Sequence, residues 1–406
     1  MSAALPSATP VATPLAAAPY APPLFKSFFL AGFECSTHRR RDGTRLDMVA
    51  ASRHDAFAAA DYARCTALDI HTVRDGVRWH LGERSPGMVC VKHEAARVRA
   101  ARDAGVQVVW DLWHYGQPAD VDLLDASFPR RLARWARAFA DMVAGETGDV
   151  PLYCPVNEIS FVAWGGGDVA YLEPFRRGKG AHLKRQLVRA AIEASDAVWA
   201  VDARARLCHV DPVIHIAADP ARPHDAEIAE ACRQGMFEAW DLLSGAQEPW
   251  LGGAPEYLDV IGVNFYSRNQ WVHDGPTIAP GEALYRPLDP ILAEVYARYR
   301  RPLFVAETGI EFDGRPAWLA EVGEAVRRAM AAGVPVEGVC WYPILNHPGW
   351  DDDRHLQCGL WDYADEDGHR PVHPPLLDEL RRQQRLFMAA REGAGAPALT
   401  AVLAHA

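Results

Sequence analysis

The sequence predicts a single (β/α)8 TIM barrel with extended βα loops, an α/β fold spanning residues 24–391, and three observations carry that expectation. Eight short apolar runs alternate with amphipathic segments, the pattern of a parallel sheet covered on both faces. Two of the helical stretches close on Ala-Gly just before the next run, at Gly105 and Gly333, a common C-terminal stop. No G-x-G-x-x-G follows the first run, so an open dinucleotide-binding sheet would lack its phosphate cradle. The glycine run "WGGGD" (164–168) follows the fourth run instead and reads as a flexible loop.

The eight runs fall in order along the chain. They are "SFFLAGFEC" (27–35), "DIHTVRDGVRW" (69–79), "GVQVVWDLWHY" (105–115) and "VPLYCPVNE" (150–158). The second four are "ARLCHVDPVIH" (205–215), "YLDVIGVNFYS" (257–267), "RPLFVAETG" (301–309) and "VPVEGVCWYP" (334–343). Among the segments between them, 129–146 repeats Leu132, Trp135, Ala136, Phe139 and Val143 at helical spacing. Helical stretches are also expected over 93–105, 184–201, 227–243 and 316–333.

The ends of the chain read differently. Residues 1–23 are rich in Ala and Pro and lack a basic leader, which predicts a disordered tail and not a secretory signal. Residues 392–406 predict a flexible C-terminal tail. The formal net charge of −11 argues against a nucleic-acid partner, and no apolar run reaches the length of a membrane span. Eight cysteines stand singly with no C-x-x-C pair, the usage of a reducing, cytoplasmic setting. No cofactor and no metal is expected, and the oligomeric state is not set by the sequence.

Chemistry is expected where these strands end, because the C-terminal face of such a barrel gathers the site. Arg74 and Arg78 close the second run, and Asp111 and His114 the third. Asn157 and Glu158 end the fourth, Asn264 and Tyr266 the sixth, Glu307 the seventh and Trp341 the eighth. Glu158 and Glu307 come from opposite sides of the barrel mouth. Two carboxylates facing one cleft are the minimum equipment for cleaving an acetal. Trp113, Trp164, Trp341 and Trp350 offer flat faces to a sugar ring, with core packing as the alternative for several of the 13 tryptophans.

These residues resemble the retaining glycosidases of clan A, and most closely glycoside hydrolase family 1, the β-glucosidase family. The resemblance rests on Arg74 with Trp79, "WHY" (113–115), Asn157-Glu158, "IGVNFY" (261–266), "ETG" (307–309) and "CGLWD" (358–362). It implies that Glu158 is the acid/base and Glu307 the nucleophile. It also implies that Asn157 and His114 hold sugar hydroxyls, that Arg74 and Tyr266 orient the nucleophile, and that Trp341 floors the sugar site. A cis Trp341–Tyr342 peptide is a further implication. The expected partner is a small glycoside or oligosaccharide, cleaved from the chain end.

Departures from the family pattern predict an atypical sugar specificity. The strand-1 Gln of the family is absent, and His38 or Arg39 stands near its place. After the eighth run the family's Glu gives way to Asn346, His347, Trp350 and Asp351. Ile159 follows the Asn-Glu pair and Thr308-Gly309 follows the nucleophile. The run Arg39–Arg41 could read an acidic or phosphorylated sugar, or be a solvated basic loop. The alternatives are an endo-acting clan A glycanase, a non-catalytic carbohydrate-binding barrel, and a metal-dependent hydrolase using histidines such as His209 and His215.

Overall fold

The computed structural model describes residues 23–83 and 85–393. Eight parallel strands close a barrel: β1 (Phe29–Gly32), β2 (Thr72–Gly76), β3 (Gln107–Asp111), β4 (Leu152–Cys154), β5 (Arg206–Pro212), β6 (Val260–Asn264), β7 (Leu303–Thr308) and β8 (Val336–Trp341). Each pairs with its neighbours in sequence, and β1 closes on β8 through Phe29–Val339 to Ala31–Trp341. All eight lie inside the apolar runs. The tails expected at 1–23 and 392–406 lie outside the described residues, apart from Pro23, Glu392 and Gly393.

The five expected helices form. They are α2 (Ala95–Asp103), α3 (Phe128–Glu146), α4 (Gly180–Trp199), α5 (Ala226–Gln234, extended by Glu238–Leu243) and α7 (Arg315–Ala331). The ring is completed by α1 (His54–Thr66), α6 (Leu288–Tyr299) and α8 (Pro374–Gly393). In α3 all five residues of the apolar repeat are buried, and Pro129 in the first turn favours the start. Gly105 and Gly333 adopt φ of 69° and 86°, the left-handed conformation that stops α2 and α7. No helix among the described residues is long and apolar enough to cross a membrane.

Strand alternation divides the core into two layers. Leu30, Val109, Leu152, Val210, Val260, Phe304 and Cys340 fill the barrel interior, and Phe25 packs edge-on against Phe304 at 5.0 Å. Ala31, Val73, Val108, Ile261, Val263, Leu303, Val305 and Val339 face the helices. Trp341 belongs to that outer layer and Tyr342 to the interior. All eight cysteines are free, three of them (Cys154, Cys208, Cys340) in the interior layer.

β7 breaks the alternation. Val263 pairs with Val305 and Asn264 with Glu307, so β7 carries one residue more than β6 over that step. The ladder with β8 shifts in the same place. The surplus residue lets both Ala306 and Glu307 face inward, the re-aiming expected of a bulge.

Two local expectations need correction. "WGGGD" is a π-helical turn, Ala163–Asp168, with its three glycines buried. A Cβ on Gly166 would stand 2.6 Å from the Glu173 carbonyl oxygen, and one on Gly167 2.6 Å from Gly180 Cα. The glycines therefore allow close backbone packing instead of a loose loop. The cis peptide expected at Trp341–Tyr342 lies one bond later, at Tyr342–Pro343, where proline lowers the preference for trans.

Interior packing at the mouth gives a first prediction. A Cβ on Gly32 would meet Tyr342 Cδ2 at 2.1 Å. Gly32→Ala should lose about 1–3 kcal/mol in urea unfolding, the usual effect of overpacking. A variant as stable as the wild type would mean that the Tyr342 ring is not pinned there.

Candidate active site

Arg74 lies fully buried in the middle of β2 and organises the site. Its Nε and Nη2 donate to the two oxygens of Asp111, at 3.0 and 2.7 Å. Nη1 donates to Glu307 Oε1 at 2.6 Å, and Nη2 also to Asn157 Oδ1 at 2.6 Å. Groups from β2, β3, β7 and the β4 extension thus converge on one guanidinium. Tyr266 completes the Glu307 environment, its hydroxyl donating to Oε2 at 2.8 Å.

Glu158 has a different setting. The chain beyond β4 stays in line with its neighbours, through Asn157 N–H to Trp113 O at 3.1 Å and Glu158 N–H to Val210 O at 3.0 Å. Glu158 then adopts φ 48°, a left-handed conformation uncommon for a side-chain-bearing residue and frequent at functional sites. Tyr115, also left-handed at φ 68°, donates its hydroxyl to Glu158 Oε2. Asn264 donates to Oε1 at 2.8 Å. Burial, and then the Glu307 charge, push the Glu158 carboxyl up to about 8. Both causes favour its protonated form.

Asn157 joins the two carboxylate environments. Its Nδ2 donates to Tyr115 Oη at 3.0 Å and to His114 Nε2 at 3.1 Å. That leaves His114 Nδ1–H to donate to Asp111 at 2.8 Å. A continuous hydrogen-bonded path therefore runs from Glu307 through Arg74, Asn157 and Tyr115 to Glu158.

Glu158, Glu307, His114 and Tyr266 line one cavity of about 1610 Å³ at the C-terminal face of the barrel. Glu34, Tyr115, Tyr342, His347 and Trp350 line it with them. Its outer wall includes Ile216 and Trp271 from a short parallel ribbon, His215–Ala217 with Gln270–Val272. Arg74, Asn157 and Asn264 support the cavity from behind, each fully buried.

Several expected site residues lie elsewhere. Trp341 does not line the cavity; its side chain points into the outer layer and donates its indole N–H to Cys358 O at 3.0 Å. Alternation gives the inward position to Tyr342. His38 is buried edge-on to Trp350 at 4.8 Å and Arg39 faces Glu173 at 3.9 Å, so neither reaches the cavity lining. Arg40 is tied to Asp353 at 2.6 Å and to the Gly349 carbonyl, and Arg41 to the Ala170 carbonyl. Arg78 pairs with Asp55 at 2.9 Å, and Trp113 is a core residue. Glu34 is not among the residues expected from the sequence, and Tyr115 enters there only as the last residue of "WHY". Glu34 does carry a legible signal, a lone carboxylate near the end of an apolar run.

A metal-ligand set is geometrically conceivable at Cys35, Asp111 and His114. The donors fit poorly, since both Asp111 oxygens already accept from Arg74 and burial keeps the Cys35 thiol protonated.

No family model matches the sequence, and no curated protein does. Solved structures share the fold. A β-glucosidase from Thermotoga maritima, in complex with glucoimidazole, superposes with a TM-score of 0.73 at 16% identity, over 90% of this chain and 99% of that one. The AHE enzyme from Alicyclobacillus herbarius gives 0.71 at 16% identity, over 90% and 98%. The β-glycosidase BGL167 gives 0.67 at 19% identity, over 86% and 88%.

The raised Glu158 carboxyl has a consequence for stability. Its folded-state pKa lies above the unfolded value, so ionising it opposes folding increasingly as pH rises to about 8. Glu158→Gln should therefore melt higher than the wild type, by more at pH 9 than at pH 5, on the order of 3 kcal/mol at the higher pH. Thermal unfolding at the two pH values measures this, and equal differences would mean that Glu158 titrates normally.

Proposed function

We propose that this protein is a retaining β-glycosidase acting by double displacement, with Glu307 as nucleophile and Glu158 as acid/base. The observation that carries this reading is the pair of unlike carboxylates on one cavity. Glu307 is held by Arg74 and Tyr266 as an oriented anion, while Glu158 is buried and protonated. One site thus holds a base and an acid at neutral pH.

In the first step Glu307 attacks the anomeric carbon as the leaving oxygen takes the Glu158 proton, giving a glycosyl-enzyme ester. In the second, Glu158 accepts a proton from water as that water displaces Glu307. Both inversions together retain the configuration. The fold shared with β-glucosidases supports the reading.

Exo action is favoured over endo action by the segment after β8. His347–Pro348 pairs antiparallel with His355–Leu356, and the intervening residues wall the cavity. Arg40 and the pairing of Arg354 with Glu311 at 2.6 Å hold this hairpin in place. A walled end suits a terminal sugar.

NMR of the first-formed sugar should find the β anomer from a β-glycoside; an inverted product would remove Glu307 as nucleophile. Glu307→Ala should lose at least about 10⁴-fold in turnover for every substrate. Glu158→Ala should lose less on aryl glycosides with good leaving groups, which need little protonation. Azide should rescue the Glu158 variant with retention and the Glu307 variant with inversion. Identical azide responses would overturn the assignment. kcat/KM should fall as pH rises through about 8, where Glu158 loses its proton.

A further inference from the structure

Glu34 lies two residues beyond β1 and is only 7% exposed, yet it lines the cavity with His114, Tyr342 and His347. Among the described residues Ser36 is its one hydrogen-bond donor, through N–H to Oε1 at 3.0 Å. No arginine or lysine among the described residues pairs with it. Burial pushes the carboxyl up, but the nearby His347 and His114 rings and the Ser36 N–H outweigh this and hold it below the usual range. An ionised carboxylate accepts at both oxygens, and a buried one left unsatisfied is costly. Its spare acceptor capacity faces the space where a ligand would sit. Meanwhile the three arginines offered for an anionic sugar are occupied elsewhere.

We propose that Glu34 is a specificity-determining residue: it accepts hydrogen bonds from hydroxyls of the bound sugar and excludes sugars carrying a carboxylate or phosphate. Like charge at a buried site opposes an anionic substituent, whereas hydroxyl donors complete the Glu34 shell. This rests on the glycosidase reading above.

The test uses nitrophenyl glycosides of one configuration in neutral, uronide and 6-phosphate forms. The wild type should favour the neutral form by at least about 100-fold in kcat/KM. Glu34→Gln still accepts the Ser36 N–H and should melt within about 2 °C of the wild type. It should lose about 10- to 100-fold in kcat/KM on the neutral substrate, the effect of a hydrogen bond to a charged group. It should also narrow the gap to the anionic forms. Among the 3-, 4- and 6-deoxy glycosides, at least one should be poor for the wild type and no poorer for the variant, which a merely structural role would not produce. A uronide or 6-phosphate turned over as well as the neutral form would overturn the proposal, as would equal losses on every deoxy substrate. If no glycoside is cleaved, the glycosidase reading fails, and calorimetry with deoxynojirimycin decides Glu34 by itself. Binding weakened about tenfold or more in Glu34→Gln supports it as a sugar reader, and unchanged binding overturns that role.

Discussion

A buried guanidinium cannot be left unpaired, and the architecture of this site follows from how Arg74 is satisfied. Taking a charge out of water costs several kcal/mol even after relaxation, and one carboxylate rarely compensates in full. Arg74 has two carboxylates and an amide, contributed from β3, β7 and the β4 extension. Those contacts fix the relative positions of strands on opposite sides of the barrel. They also fix Asn157, and through it Tyr115 and the orientation of Glu158.

The same arrangement makes two identical side chains chemically unlike. Glu307 takes the countercharge directly, whereas Glu158 receives only neutral donors, from Tyr115 and Asn264. It also stands in the field of the Glu307 anion. The inequality is therefore a matter of which glutamate touches the arginine.

The barrel was legible because parallel strands covered on both faces are short apolar runs, and each run delivered its strand. Helices α1, α6 and α8 were harder: α1 reads "HDAFAAADYARCT", where alanines blur the contrast between faces. Side-chain direction was the weak point. Strict alternation puts Cys340 and Tyr342 inward, so Trp341 faces the helices although a motif recommends it for the site. For Glu307 the error runs the other way. Alternation from Phe304 and Ala306 would send it outward, and only the surplus residue of β7 turns it in. Motif matching found Glu307 where periodicity would have rejected it. The basic run 39–41 could not be placed because its partners, Glu173, Asp353 and the carbonyls of Gly349 and Ala170, are remote in sequence.

The ribbon of His215–Ala217 and Gln270–Val272 sets the outer wall apart from the chemistry. Its strands arise from the loops after β5 and β6, and Asn269 anchors it by donating to Val213 O at 2.8 Å and Asn264 O at 3.2 Å. Neither Ile216 nor Trp271 touches the Arg74 network. The wall and the charged hub can therefore change on separate evolutionary schedules. A new ribbon grafted between these two strand ends would offer a different surface to whatever enters the cavity, while the electrostatics beneath it stayed as they are. In a barrel assembled this way, diversification of the mouth is a loop-exchange problem that leaves the charge network of the strand ends untouched.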